Sequence, residues 1–396
     1  MNSKLLKKIR NNLQKIKSPE GFLYASSEKY QALFGRDSLI SSWQMLGIDN
    51  SVAKNTLKIL AKYQGKRYSQ RREEERGKIL HEYRKDKKEI SKSDLSPEVK
   101  KIIIKYWDYP YYGSIDSTPL FIIIASFYYQ ETKDKDLLKS LMPNIQRALG
   151  WTESRLKKDK HGFLSYQRLN PHGLFHQGWK DRLYDSLKIK PPVALVEVQG
   201  YVYKAFKEAS WLYKEISKNE FKFNIYNQKA EEFKKRFNVN FWLPQEKFYA
   251  FALDGKGRKI KSITSNVGQC LFTGIIDNKY LSLVIKRLFK KDIFTPYGIR
   301  TLSLKDKNFK EDGYHWGTVW PHDNWIIYQG LLKNRYRKEA LLVRETILRA
   351  YKELKSIPEC YIVTKKGKIR LLKRADKLQA WSIGSLYNFL INYDKI

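Results

Sequence analysis

The most constraining feature of this sequence is an alternation between helices that are apolar on every side and helices that are apolar on one side only. The segments 120–125, 266–276 and 324–332 are apolar nearly all round, as a helix with neighbours on every side must be. The segments 278–290 and 336–354 place apolar residues between lysines, arginines and glutamates, which is typical of a helix with one solvent-exposed face. The alternation predicts one ring of helices inside another.

Apolar periodicity predicts twelve helices in all, and short turns join them in pairs. They lie at roughly 3–16, 38–48, 51–65, 116–131, 134–157, 197–216, 222–238, 265–275, 278–290, 323–334, 336–354 and 378–393. Six inner and six outer helices make an all-α fold, an (α/α)6 barrel, which we expect to be a single catalytic domain over residues 1–396. Helical tandem repeats are the structural alternative, but no fixed sequence period is present.

Six long connections each precede an inner helix, so they share one end of the predicted barrel, where function is expected. They run over roughly 17–37, 66–115, 158–196, 239–264, 291–322 and 355–377. Two of them contain the pattern of a β-hairpin, at Phe248–Arg258 and at Tyr361–Leu371. The highly charged segment 66–105 is expected to be a mobile, solvated loop or a lid.

The net charge of +36 raises the possibility of a polyanion partner, because clustered Lys and Arg side chains bind phosphates. These side chains are spread along the chain without a recognisable nucleic-acid-binding module, so we interpret them as solvated faces and expect no specific nucleic-acid partner. Cys270 and Cys360 are too few and too far apart for a disulfide framework, which fits a reducing cytoplasm. The longest apolar run, Leu120–Tyr129, is too short to span a bilayer, and no signal peptide is evident.

The long connections concentrate carboxylates among aromatic residues, and they contain no nucleophile elbow, Gly-rich phosphate loop or His-x-x-x-His metal pair. Glycoside hydrolysis needs a carboxylic acid to protonate the leaving oxygen, a second carboxylate to activate water or attack the sugar, and aromatic rings for the sugar faces. Asp181 and Glu359 are the candidate pair, because each lies in mid-loop beside Trp179 or Pro358. We expect no cofactor and no metal ion.

Other loop carboxylates have a structural interpretation. Three of them stand at the predicted start of an inner helix, where capping of the backbone N–H groups is the default role: Asp37, Asp116 and Asp323. For Glu197 and Glu82 a structural ion pair, for instance with Arg36 or Arg84, is as plausible as contact with a ligand.

The loop motifs form an ordered set from about residue 30 to the C-terminus. They are Phe34–Ser38, Gly77–Arg84, Tyr111–Asp116, Gln177–Asp181, Val196–Tyr203, Gly298–Ser303, Trp320–Asn324 and Gln379–Trp381. As an ensemble they resemble the bacterial amylo-α-1,6-glucosidases of the glycogen-debranching type. The resemblance extends to the broader group of inverting (α/α)6 glycosidases, which includes the mannosylglycerate and glucosylglycerate hydrolases.

The resemblance implies an inverting, exo-acting α-glycosidase for α-1,6-glucosides or short α-glucosides, with a mannosylglycerate- or glucosylglycerate-type hydrolase as the alternative. Asp181 would be the general acid and Glu359 the general base, with their carboxyl groups ~6.5–9.5 Å apart. With the loop motifs, it indicates thirteen further substrate-binding residues: Arg36, Asp37, Tyr112, Asp116, Gln177, Trp179, Glu197, Gln199, Trp316, Trp320, His322, Asp323 and Trp381. We expect burial to raise the pKa of Asp181, and we expect Lys180 and Arg182 to point away from it.

Two other classes of function remain open. An isomerase or epimerase of free sugars in the same barrel would use His81 or His322 for acid and base chemistry. A non-catalytic barrel that binds anionic polymers through its +36 charge would show steeply salt-dependent binding and no turnover. The complete motif set favours the hydrolase over both.

Overall fold

The computed structural model of the chain describes residues 2–92, 95–181 and 189–391. In these ranges the α-helices are α1 (Asn2–Lys15), α2 (Gly35–Met45), α3 (Asn50–Lys62), α4 (Pro97–Tyr106), α5 (Ser117–Thr132), α6 (Lys135–Lys158), α7 (Val196–Glu215), α8 (Glu220–Phe241), α9 (Asn266–Thr273), α10 (Asn278–Leu288), α11 (Pro321–Lys333), α12 (Arg337–Leu354) and α13 (Ala380–Ile391). All twelve predicted helices are present, and their ends differ from the predicted ones by no more than about one turn. None of the helices described here is both long and apolar enough to cross a bilayer.

The strands are short and pair within the loops. They are β1 (Leu33–Phe34), β2 (Glu82–Tyr83), β3 (Ala194–Leu195), β4 (Trp242–Leu243), β5 (Phe248–Tyr249), β6 (Ala252–Leu253), β7 (Lys259–Ile260), β8 (Phe294–Thr295), β9 (Gly298–Ile299), β10 (Tyr361–Val363) and β11 (Ile369–Leu371). Both predicted hairpins are confirmed, as the antiparallel pairs β6–β7 and β10–β11. The antiparallel pair β1–β2 joins two loop motifs that are far apart in sequence.

The described residues divide into two compact units. The first comprises Met1–Asn12, Tyr184–Tyr203 and Glu232–Ile396, and the second comprises Leu13–Leu183 and Lys204–Glu231. In the second unit, α2 packs against α3 and α5, and α5 packs against α6. In the first unit, α11 packs against α9, α12 and α13.

Burial separates the helices into the two predicted kinds within each unit. Helices α2, α5, α9, α11 and α13 are buried nearly all round. Helices α3, α6, α10 and α12 bury one face, with exposed lysines, arginines and glutamates on the other. Five of the six long connections that we expected to carry function precede one of these buried helices, and the sixth precedes α7, most of whose residues are also buried, so the predicted link between loops and inner helices is confirmed.

The charged segment 66–105 contains a helix that the sequence did not predict. Helix α4 begins with Pro97 directly after Ser96, whose hydroxyl accepts a hydrogen bond from Val99 N at 3.4 Å. Its apolar face belongs to a buried cluster formed by Ile90, Val99, Ile103, Trp107, Tyr111 and Leu174. The expectation of a solvated, mobile loop is therefore wrong for the part that contains α4, because this helix buries apolar side chains in the second unit.

Candidate active site

Backbone hydrogen bonds join four loop motifs of the second unit at the starts of α2 and α5. Gly35 N donates to His81 O at 2.9 Å, and Ile115 N donates to Gln177 O at 2.8 Å. A Cβ atom on Gly35 would lie 2.1 Å from Leu80 O, so only glycine permits this approach. The pairing fixes where the next residue, Arg36, projects its side chain.

Arg36 lies at the centre of a buried cluster of carboxylates. Its Nη1 donates to Asp116 Oδ2 at 2.9 Å and its Nη2 donates to Asp181 Oδ2 at 2.5 Å. Its Nε lies 3.7 Å from Asp37 Oδ2. The side chain of Asp181 is 22% exposed, whereas those of Arg36 and Asp116 are almost fully buried. One cation thus faces three carboxylates, so the second unit joins four of the predicted site residues directly.

Capping is not the role that the structure gives to the three helix-start carboxylates. Asp116 occupies the N-cap position of α5 without a capping hydrogen bond from its side chain, and Ser114 Oγ donates to its Oδ1 at 2.6 Å. Asp37 and Asp323 lie inside the first turns of their helices, where Phe34 and Trp320 hold the N-cap positions. The default interpretation as N-caps was therefore wrong for these three residues: Asp116 and Asp323 accept hydrogen bonds from side chains, and Asp37 lies beside Arg36 inside the first turn.

Burial and the neighbouring carboxylates favour the protonated forms of Asp37 and Asp181. Burial raises the pKa of Asp37 to about 7, Arg36 opposes the rise, and the charges of Asp181 and Asp116 add to it. Burial likewise raises the pKa of Asp181, against the lowering effect of Arg36. Burial alone would lower the pKa of Arg36, but the three carboxylates outweigh it and raise that pKa. The cluster can therefore hold a proton near neutral pH, as a general acid must.

Gln177 and Trp179 lie in the loop that carries Asp181. Gln177 Nε2 donates to Glu73 Oε2 at 3.2 Å, and Asn170 N donates to the other oxygen of Glu73 at 2.7 Å. Trp179 is buried, and the ammonium of Lys180, which is also buried, lies 5.0 Å from its ring centroid. Lys180 therefore does not extend into solvent, and among the described residues Arg36 forms an ion pair with Asp181. Arg182 lies outside the described residues.

Three other predicted features of the second unit have clear structural roles. Tyr112 donates its hydroxyl hydrogen to Tyr63 O at 2.6 Å, which ties its loop to the end of α3. Glu82 forms an ion pair with Arg84 at 2.5 Å, which was one of its two interpretations. Burial, followed by the charges of Arg36 and Lys78, holds the pKa of His81 well below its usual range. A neutral, buried His81 does not favour the isomerase interpretation.

Glu73 was missed by the sequence analysis, although it is 1% exposed and holds Gln177 in place. It lies within the charged run 66–76, and nothing in the sequence distinguishes it from the glutamates and arginines beside it. Its φ of 56° is a left-handed conformation that is uncommon for a residue with a side chain. The buried position of Glu73 could be recognised only from its partners Asn170 and Gln177, which are far away in the sequence.

Glu359 is held by hydrogen bonds in the first unit. Gln379 Nε2 donates to its Oε1 at 3.2 Å, and Asp376 N donates to its Oε2 at 3.0 Å. Ser382 Oγ donates to its backbone carbonyl at 3.3 Å. Two N–H donors facing the two oxygens suit an ionised carboxylate, which can only accept hydrogen bonds and still has lone pairs for a water molecule.

An aromatic stack lies in the same unit as Glu359. The rings of His322 and Trp381 are stacked at 3.8 Å and 9°, and Trp320 meets both edge-on. Trp316 contacts Phe251 edge-on and is 4% exposed. All four predicted residues are at least 96% buried, so their rings are packed inside the protein and are not exposed platforms.

The starts of α7 and α11 contribute the remaining candidates, which are all fully buried. Asp323 Oδ1 accepts a hydrogen bond from Gln269 Nε2 at 2.6 Å, and the hydroxyl of Tyr201 donates to Gln269. Gln199 Nε2 donates to Leu195 O at 2.8 Å, so its amide nitrogen supports its own helix start. Glu197 is buried near Cys270, whose pKa is raised by burial and by the charge of Glu197.

Within the described residues, no group of three or more His, Cys, Asp or Glu side chains is arranged to hold a metal ion. Both cysteines are buried thiols. The chemistry that the arrangement offers is thus acid and base chemistry by carboxylates: Asp181 beside a cation and two further carboxylates, and Glu359 beside two N–H donors.

Comparison with known proteins places these residues in a wider context. A family model described as the mannosylglycerate hydrolase MGH1-like glycoside hydrolase domain matches residues 33–382. The search of curated protein sequences found no match. The family match confirms the predicted glycosidase group at the level of mannosylglycerate hydrolase-like enzymes. It does not confirm amylo-α-1,6-glucosidase activity.

Solved structures agree with the predicted fold. The GH63 mannosylglycerate hydrolase of Thermus thermophilus in complex with Tris and D-glycerate has a TM-score of 0.73 at 16% identity, over 97% of this chain and 99% of that one. The same enzyme in complex with glucose has a TM-score of 0.70 at 14% identity, over 97% and 99%. The predicted fold class, an all-α (α/α)6 barrel with small β-hairpins, is confirmed.

Proposed function

Because this chain belongs to the mannosylglycerate hydrolase MGH1-like glycoside hydrolase family, we propose that it hydrolyses the α-glycosidic bond of a small glycoside with inversion. Asp181 acts as the general acid and Glu359 as the general base. The observation that carries the proposal is the contrast between the two carboxyl groups: burial raises the pKa of Asp181, while two N–H donors face the oxygens of Glu359. One family match over residues 33–382 also supports a single catalytic domain.

The substrate in this proposal is a glucoside or mannoside of a short, acidic aglycone such as glycerate. The two solved structures described above are of one mannosylglycerate hydrolase, and one of them contains D-glycerate. Lysine and arginine side chains are abundant in this chain, which suits an anionic aglycone. We place this substrate ahead of an α-1,6-glucosidic branch, which remains the second member of the same reaction class.

In the proposed reaction, protonated Asp181 gives its proton to the glycosidic oxygen as the bond to the anomeric carbon breaks. Glu359 removes a proton from a water molecule that attacks the opposite face of the sugar, so the configuration inverts in a single displacement. Arg36 holds Asp181 in position before the transfer and stabilises its carboxylate afterwards, since its Nη2 lies 2.5 Å from Asp181 Oδ2.

The test is proton NMR of the sugar released by the purified protein, which distinguishes the anomers before they equilibrate. The substrates are α-mannosylglycerate, α-glucosylglycerate, isomaltose, panose and maltose. The variants are Asp181→Asn and Glu359→Gln, with Asp136→Asn and Glu246→Gln as matched controls at exposed carboxylates. Each site variant should lower kcat by about 10²-fold or more, and the controls should behave as the unmodified protein.

The outcome also separates the alternatives. Release of the β-anomer first from a glycerate glycoside supports inversion and this substrate class, whereas preference for isomaltose or panose would favour the α-1,6-glucosidase. Retained activity in both site variants would overturn the assignment of the pair. Interconversion of free sugars without cleavage would indicate the isomerase instead.

A further inference from the structure

Asp116 stands at the start of an inner helix and does not cap it. An N-cap carboxylate typically contributes about 1 kcal/mol to a helix, so the carboxylate of Asp116 forgoes a common stabilising role. Both of its oxygens are used elsewhere: Arg36 Nη1 donates to Oδ2 at 2.9 Å, and Ser114 Oγ donates to Oδ1 at 2.6 Å. Asp116 is 0% exposed, so these contacts are made away from bulk water.

Arg36 divides its two terminal nitrogens between two carboxylates. Nη1 binds Asp116 and Nη2 binds Asp181, so one positive charge is shared by two anions. A guanidinium that faced Asp181 without a competing anion would favour the ionised form of Asp181 more strongly. An ionised Asp181 cannot donate a proton, so the balance between the two contacts bears directly on acid catalysis.

We propose that Asp116 is a positioning residue for the general acid: it fixes Arg36 and takes up part of its charge, so that Asp181 retains the proton for the leaving group. The inference rests on the proposed role of Asp181. It goes beyond that role because it assigns Asp116 to the general acid, whereas the sequence indicated either a helix cap or contact with the sugar.

The charged groups around Asp181 in this unit are consistent with this assignment. Burial is the largest cause that raises the pKa of Asp181; Arg36 opposes it, and the charge of Asp116 adds to it. Asp37 lies on the other side of Arg36, with its Oδ2 3.7 Å from Nε. His81 is held neutral by burial and by Arg36, and the ammonium of Lys180 lies over the ring of Trp179.

The experiment is the pH profile of kcat/KM of the full chain with α-mannosylglycerate and α-glucosylglycerate. The basic limb of this profile reports the loss of the acid proton. Asp116→Asn removes the anion and retains the shape, so the limb should move to lower pH by about one unit. Ser114→Ala keeps every charge of the cluster and removes only the hydrogen bonds of the Ser114 hydroxyl with Asp116 and Ser117, so its limb should stay near that of the unmodified protein.

A second variant tests the opposite sign. Arg36→Gln removes the cation beside Asp181, so its basic limb should move to higher pH, with circular dichroism confirming the fold of each variant. If the basic limb does not move in a variant of these two that folds, the inference is overturned. Asp116 then has a structural role only. Hydrolysis that survives Asp181→Asn would overturn the proposed function itself, which is a distinguishable result.

Discussion

The side-chain amide of Gln379 lies 3.2 Å from Oε1 of Glu359 and holds the carboxylate of the proposed base from the start of α13. A hydrogen bond to an ionised group contributes about 1.5–3 kcal/mol, so Gln379→Ala should lower kcat by about 10- to 100-fold. Gln379→Glu should lower it further, because two carboxylates would then face each other. Steady-state kinetics with the best substrate of the panel measures both effects.

A second measurement distinguishes an oriented base from a disturbed fold. The melting temperature of Gln379→Ala should remain close to that of the unmodified protein, because two other hydrogen bonds remain: Glu359 N donates to Asp376 O, and Asp376 N donates to Glu359 Oε2. Unchanged kcat in a correctly folded Gln379→Ala protein would contradict the assignment of Glu359 as a base that Gln379 orients.

The raised pKa of Asp37 predicts a dependence of stability on pH. A carboxyl group whose folded pKa is about 7, above its ordinary value near 4, contributes fully to stability below pH ~4, and the contribution is lost as pH rises through ~7. Asp37→Asn has no carboxyl group to ionise, so it avoids the loss of stability that accompanies ionisation of Asp37. The variant should be more stable than the unmodified protein by about 1–3 kcal/mol at pH 8 and should show little difference at pH 4.

Asp49→Asn provides the matched control for Asp37→Asn, because its trend should be the reverse. Lys17 Nζ lies 2.8 Å from Asp49 Oδ2, and the pKa of Asp49 is lowered: burial alone would raise it, but the contacts with Lys17 and Ser51 outweigh that effect. Removing this carboxylate should cost stability at neutral pH and lose its effect as pH falls below ~4. Urea unfolding at a series of pH values measures both variants. Parallel pH trends in the two would contradict the assigned cause.

The inner and outer helices could be predicted because a helix buried on every side needs apolar residues all round, whatever lies beside it. The Arg36 cluster could not be predicted as a cluster, since its contacts join positions 80 and 145 residues apart. Local reasoning therefore assigned Asp37 and Asp116 to caps. Helix α4 was missed for a related reason. Lysines flank Ile102–Ile104 in the sequence, so the segment reads as charged, and its apolar face is recognised only from its packing with Trp107 and Leu174.

Helix α4 provides a matched pair of isoleucines for testing whether it is a folded element. Ile103 is 4% exposed within its cluster, whereas the next residue, Ile104, is 41% exposed. Ile103→Ala should destabilise the protein by about 2–4 kcal/mol, because it removes a buried side chain and leaves a cavity. Ile104→Ala should change stability by less than about 0.5 kcal/mol. Equal effects in urea unfolding would contradict the packing of α4.

Two glycines in helices should respond in opposite directions to alanine. A Cβ atom on Gly35 would lie 2.1 Å from Leu80 O, so Gly35→Ala must displace the contact between the start of α2 and the loop before β2. Arg36 follows directly, and its contacts with Asp116 and Asp181 should be lost with it. No atom lies within 4 Å of a Cβ on Gly150, which stands inside α6, so Gly150→Ala should stabilise the helix by about 0.5–1 kcal/mol. Activity and melting temperature of the two variants measure the contrast. A Gly35→Ala protein with full activity would contradict the dependence of the Arg36 cluster on this close approach.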